Sequence, residues 1–292
     1  MEKQIRYKEI YDILLKKIKE EDHYDINNQQ FLKLLSKELG TDIKNFIEYI
    51  MKLTETKKVY FIRHAESKYN HWKKKSIFNM SFRYQKIEAN IDPEITQKGK
   101  EQCKSLQQKI QSQLKDLKFD VVYVSPMTRT CETFGYTATQ ENQQLINNFS
   151  HSRVVGCHYV KERFGSAANI GRDLNYVRQN LFQNWHIDGE LVQKDDWWSF
   201  KDYQKSGQTK FQIEDETIQQ LERRLLIFFL FALLSEDDNI CIVSHSSVFK
   251  RITMRSKFYP GSGIKNAQIH QLTNHILKPF LSHSISQNMK TQ

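Results

Sequence analysis

From residue 58 onward the apolar positions bunch into short runs separated by longer amphipathic stretches. "KVYFIR" (58–63), "FDVVYVS" (119–125), "SRVVGCHYV" (152–160) and "NICIVSH" (239–245) are nearly continuous in apolar character, as strands buried on both faces are. Between the first two, a helix starting near Thr96 keeps Cys103, Leu106, Ile110, Leu114 and Leu117 on one side. Before the last, a helix over 215–235 ends in the apolar run "LLIFFLFALL". Strands alternating with helices predict an α/β fold, a three-layer α/β/α sandwich with a mainly parallel central sheet. Functional side chains in such sheets gather at the carboxyl ends of the strands.

Residues 1–57 follow a helical period instead. Tyr7, Ile10, Tyr11, Leu14 and Ile18 form one apolar face, Phe31, Leu34, Leu35 and Leu39 a second, and Ile43, Phe46, Ile47 and Ile50 a third. Gly40 fits a helix stop, with Thr41 or Asp42 capping the next start. The expected organisation is a helical N-terminal extension over 1–57 and an α/β domain over 58–292. The extension is expected to pack on that domain or on a partner protein. Residues 165–213, polar and aromatic with weak periodicity, read as a long excursion with short helices, of the kind used as lids and binding loops.

Composition narrows the functional classes. The longest apolar run has ten residues, whereas a bilayer-spanning helix needs about 20. The N-terminus mixes acids with bases and lacks an apolar signal core. The expectation is a soluble, intracellular protein of the cytoplasm, with no membrane span. Cys103, Cys131, Cys157 and Cys241 lie far apart inside apolar patterns, which suits reduced core thiols rather than a disulfide frame or a zinc site. The formal charge of +10 favours an anionic partner. Nucleic acid is the weaker candidate, for the chain has neither a recognised nucleic-acid motif nor an aromatic–basic repeat. Residues 63–87 hold Arg63, Lys68, Lys73, Lys74, Lys75, Arg83 and Lys86 against the single acid Glu66. This run is either a solvated loop or an electrostatic funnel.

Reactive and anion-binding side chains then collect at the four strand exits. The first carries Arg63, His64 and Asn70; the second, in "SPMTRTCET", Ser125, Arg129 and Thr133; the third, in "YVKERFG", Glu162; the fourth His245. Each alone would be unremarkable, since a histidine after a strand is usually a hydrogen-bonded structural group. Two histidines and two arginines converging on one sheet edge describe a phosphate site.

Arg63-His64-Ala65-Glu66 with Asn70, then "DPEITQKGKEQC" (92–103), "SPMTRTCET" (125–133) and "VSHSSVF" (243–249), in that order, resemble the histidine phosphatase superfamily, the phosphoglycerate mutase-like group. The resemblance covers about 58–260 and implies a mechanism. His64 attacks phosphorus and forms a phosphohistidine, with its other ring nitrogen held by a hydrogen bond to a backbone carbonyl. Arg63 keeps His64 neutral by like-charge repulsion and, with Asn70, Arg129 and His245, holds the phosphoryl group. Glu162 protonates the leaving oxygen, with Asp188, Glu190 or Asp92 as substitutes. No metal or other cofactor is required. The implied function is a metal-independent phosphatase acting on a phosphorylated small molecule or phosphoprotein. A phosphoglycerate mutase-type phosphotransferase and a scaffolding subunit of a cytoskeletal or ciliary assembly are the alternatives. Two departures stand out: Ala65 replaces the commoner glycine, and "SHSSVF" lacks the glycine often found after the second histidine.

Overall fold

The four apolar runs become strands in a computed structural model of the chain, which describes residues 43–78, 87–140, 144–199, 209–257 and 263–289 together with Asp12 and Lys16. They are β1 (Lys58–Arg63), β2 (Val121–Val124), β3 (Arg153–Cys157) and β5 (Asn239–Ser244). Two strands the pattern did not predict complete the sheet: β4 (Asp188–Leu191) and β6 (Ile269–Gln271). The order is β4-β3-β2-β5-β1-β6, with β6 antiparallel to β1 and every other pairing parallel. Both unpredicted strands lie at an edge, where only one neighbour buries them and no continuous apolar run is needed. The predicted third strand is shorter than expected, because His158–Val160 turns into a 3-10 helix.

Successive side chains along the strands feed two separate cores. Val59, Phe61, Val121, Tyr123, Ile240 and Ile242 face a layer built from α1 (Ile43–Thr56), α5 (Ile218–Leu234), α6 (Ser246–Thr253) and α7 (Asn274–Met289). Tyr60, Ile62, Val122, Val124, Cys241 and Val243 face α3 (Gln97–Gln113), α4 (Thr128–Ala138) and the segment 174–187. This alternation produces the three-layer sandwich. A further helix, α2 (Lys68–Phe78), follows β1 with most of its polar side chains exposed. α5 starts on a capping box, with Thr217 accepting from the Gln220 amide at 3.2 Å and Gln220 accepting from the Thr217 amide at 2.7 Å.

α1 corresponds to the third predicted N-terminal helix, and its Phe46 and Ile50 enter the same core as Leu225 and Phe229. The first two predicted helices, the Gly40 stop and its neighbouring caps lie outside the described residues, as do Arg83 and Lys86. The 165–213 excursion is more than a covering loop. It carries a 3-10 turn (Ala167–Asn169), a helical turn (Leu174–Tyr176) that widens into a π-helical turn (Val177–Phe182), and β4, and it buries Trp197 and Trp198. All four cysteines are buried free thiols. No helix among the described residues is long and apolar enough to cross a membrane.

Candidate active site

Strand register assembles the site. β1 and β5 pair in parallel with Arg63 opposite Ser244, and the His64 amide donates to the Ser244 carbonyl at 2.9 Å. His64 and His245 therefore leave adjacent strands at the same level. Both are buried, with ring centroids 5.1 Å apart. β2 lies on the other side of β5, and the Ser125 amide donates to Val243 at 3.0 Å, bringing the second motif alongside. The Ser244 hydroxyl donates to Val160 at 2.6 Å and ties down the turn that precedes Glu162.

His64 Nδ1 lies 2.8 Å from the Ala65 carbonyl oxygen. A carbonyl can only accept, so Nδ1 carries the ring proton and Nε2 presents its lone pair. The imidazole is held well below its ordinary pKa by burial first, then by Arg129, then by Arg63. The sequence expectation that adjacent Arg63 keeps the ring neutral is thus corrected in its emphasis. Loss of hydration and a guanidinium from another motif outrank the neighbour in sequence.

His245 Nε2 lies 2.8 Å from Ser125 Oγ, which also accepts from the Met127 amide at 3.5 Å. Ser125 Oγ has a second lone pair, so either group can donate across this bond; in the tautomer where the serine hydrogen points at Nε2, the ring proton is on Nδ1. His245 too is held well below its ordinary pKa, by burial and then by Arg129. Its Nδ1 is buried with no acceptor among the described residues, and so is Arg63 Nε, while Arg63 Nη1 donates to Ile264 at 2.7 Å. A buried donor left without an acceptor costs about 1–3 kcal/mol. An oxyanion beside Arg63 would give its Nε an acceptor.

Arg129 is fixed by its surroundings. Nη1 donates to the Ala168 carbonyl at 2.8 Å, Nη2 to Asn169 Oδ1 at 3.0 Å, and Nη1 lies 3.8 Å from Asp92. Asp92 does not stand in for the proton donor, as the sequence allowed. It is fully buried, takes the Thr128 amide on both oxygens (2.9 and 3.1 Å) and the Thr128 hydroxyl at 2.7 Å, and braces Arg129. Burial pushes its carboxyl up to about 6 against the pull of Arg129 and Thr128. Asp188 and Glu190, the other substitutes, are exposed on the edge strand β4.

Glu162 reaches the histidines instead: one of its oxygens lies 4.0 Å from His245 Nδ1. Burial raises its pKa, opposed by Arg129, the Arg163 amide and Arg63. Asn70 sits at the edge of the cluster. Its Oδ1 accepts from Asn266 Nδ2 at 3.1 Å, and the same Asn266 nitrogen donates to the His64 carbonyl at 2.9 Å. Thr133 accepts from the Ala65 amide at 2.9 Å, so Ala65 in place of glycine keeps the first motif joined to the second.

The "DPEITQKG" stretch braces as well. Thr96 caps α3 by accepting from Gly99, and a Cβ at Gly99 would come 2.5 Å from the Glu66 carbonyl oxygen, so only glycine lets the helix approach the first motif this closely. His64, Glu162 and His245 place ligand atoms within 4.8 Å of one another, a donor set open to a divalent cation. Arg63 and Arg129 both act on that cluster, and two guanidinium charges favour an anion there.

Sequence reasoning missed several supports. Glu216 is gripped by Arg224 at 2.6 Å (Nε to Oε1) and 3.0 Å (Nη2 to Oε2), and it accepts from the Phe164 amide at 3.1 Å, anchoring the loop that carries Glu162. Burial works against the Glu216 carboxylate, but Arg224 and Lys161 outweigh it and bring it down to about 2. The signal was available in "LERRLLIFFLFALL", where an arginine interrupts a buried face. Asn169, Asn266 and Ser247 carry no comparable mark.

Comparison with known families agrees with the first three of these motifs. The family model of the histidine phosphatase superfamily (branch 1) matches residues 59–148. Comparison with curated protein sequences finds no match. Among solved structures, an α-ribazole phosphatase from Shigella flexneri is 20% identical with a TM-score of 0.41, covering 73% of this chain and 89% of its own. The ecdysone phosphate phosphatase of Bombix mori, solved with tungstate, is 12% identical with a TM-score of 0.44 over 74% and 88%. A phosphoglycerate mutase from Bacillus anthracis is 17% identical with a TM-score of 0.43 over 81% and 99%.

Proposed function

We propose that this chain, whose residues 59–148 match the family model of the histidine phosphatase superfamily, is a metal-independent phosphatase that hydrolyses phosphate monoesters through a phosphohistidine on His64. The observation that carries the reading is the cluster of His64, Glu162 and His245 under the charges of Arg63 and Arg129, where Arg63 Nε is a buried donor with no acceptor among the described residues and the nucleophile is held neutral. His64 Nε2 attacks phosphorus and the P–O ester bond breaks. The departing oxygen takes the proton from Glu162, and the phosphoryl oxygens are met by Arg63, Arg129 and His245. In the second half Glu162, now ionised, removes a proton from water. The water attacks phosphorus, the P–N bond breaks, and His64 and inorganic phosphate are released. The raised pKa of Glu162 suits a group that must be protonated in the first half.

The test is hydrolysis of phenyl phosphate with EDTA present, by wild type and His64→Ala, with 32P trapping on histidine after acid-free quench. Turnover and label are expected in wild type only. Equal turnover in both proteins, or loss of activity on chelation, would overturn the reading. Release of label to water rather than to an added alcohol separates hydrolysis from phosphotransfer.

A further inference from the structure

Ser247 lies on the first turn of α6, two residues past His245, where the superfamily resemblance leads one to expect glycine nearby. Its hydroxyl donates to Glu162 Oε1, the same oxygen that accepts from the Arg163 amide at 2.9 Å. Arg163 also donates to Ser247 Oγ at 3.4 Å, so the three groups form a closed set. With two donors on Oε1, that oxygen is the poor place for a proton, and Oε2 becomes the protonated one. Oε2 is the oxygen that lies 4.0 Å from His245 Nδ1, on the histidine side.

We propose that Ser247 is a positioning residue for the proton donor: it locks Glu162 Oε1 as acceptor, thereby placing the acid's proton on Oε2 and aiming it at the leaving oxygen. The proposal rests on the hydrolytic reading above. A hydroxyl that donates to a carboxylate favours its ionised form, so losing it raises the Glu162 pKa. The charged and titratable groups around Glu162 are Arg63 from β1, Arg129 from α4, Arg224 from α5, the two site histidines and the adjacent Lys161. All of them stay in place in a Ser247 variant.

The experiment compares wild type, Ser247→Ala, Ser247→Gly and Ser247→Thr on two esters. Phenyl phosphate expels a basic oxygen that needs the proton, whereas 2,4-dinitrophenyl phosphate does not. The alanine and glycine variants are expected to lose about tenfold in kcat on phenyl phosphate and less than twofold on the dinitrophenyl ester, within the range of general acid catalysis. The alkaline limb of their pH profile should move up by about half a unit or more, and threonine should restore both. Equal losses on the two esters, or an unmoved alkaline limb, overturn the proposal. A second readout is independent of turnover: 13C NMR titration of labelled glutamate, assigned with Glu162→Gln, should show the Glu162 pKa rising in Ser247→Ala. An unchanged titration overturns the Ser247 role even in an active enzyme. A Glu162 pKa that rises in Ser247→Ala while the wild-type chain fails to hydrolyse phosphate esters overturns the hydrolytic reading instead.

Discussion

Asp92 and Glu162 are both acids that burial pushes up, and both lie within the field of Arg129, yet they occupy opposite situations. Asp92 spends both oxygens on Thr128 and stands behind the arginine. Glu162 spends one oxygen on the Arg163 amide and Ser247 and turns the other toward His245. A raised pKa by itself therefore does not identify a proton donor. Which lone pairs the protein has already used does, because a carboxyl with both oxygens committed cannot approach a substrate without breaking its own bonds.

The largest effect should come from removing the proposed donor. Glu162→Gln is expected to lower kcat on phenyl phosphate by about 10²–10⁴-fold while leaving the thermal midpoint within a few degrees. Asp92→Asn should do the opposite: about 1–3 kcal/mol of stability lost in urea titration, since an amide presents an N–H where Thr128 also donates, with a rise of about tenfold in KM from a loosened Arg129. If the two variants exchanged these signatures, the contrast between brace and donor would be inverted.

Two pH experiments sharpen it further. The kcat/KM profile on phenyl phosphate should hold its acid limb well below pH 6.5, where His64 protonates, and its alkaline limb above pH 4.5, where Glu162 ionises. Glu162→Gln should abolish only the alkaline limb. Stability provides the smaller test. Asp92 has a folded pKa of about 6 against 3.8 unfolded, and Glu132, which accepts from the Ile95 amide at 2.8 Å, about 7 against 4.5. Raised carboxyl values contribute stability that is complete below the unfolded pKa and lost as pH rises through the folded one. Glu132→Gln should therefore flatten the decline between pH 4.5 and 7 by about 1 kcal/mol after allowance for solvent screening, as read from urea midpoints.

The sequence by itself determined the strands of the buried sheet and marked the side chains proposed to react. Continuous apolar runs such as "KVYFIR" and "NICIVS" have no other stable home than a sheet covered on both faces, and the polar residues that end them are marked by that very interruption. Edge strands β4 and β6 were not legible, because a strand with one neighbour needs no apolar run. Nor was the work of single polar residues such as Ser247, Asn169 and Asn266, whose partners lie 85, 40 and 202 residues away. Asp92 was visible as an acid but not as a brace. Only tertiary structure decided these points, since hydrogen bonds across such separations depend on the register of β1, β5 and β2 and on how loops fold back over their ends. Local pattern records burial and periodicity; it holds no record of which lone pair a distant donor will fill.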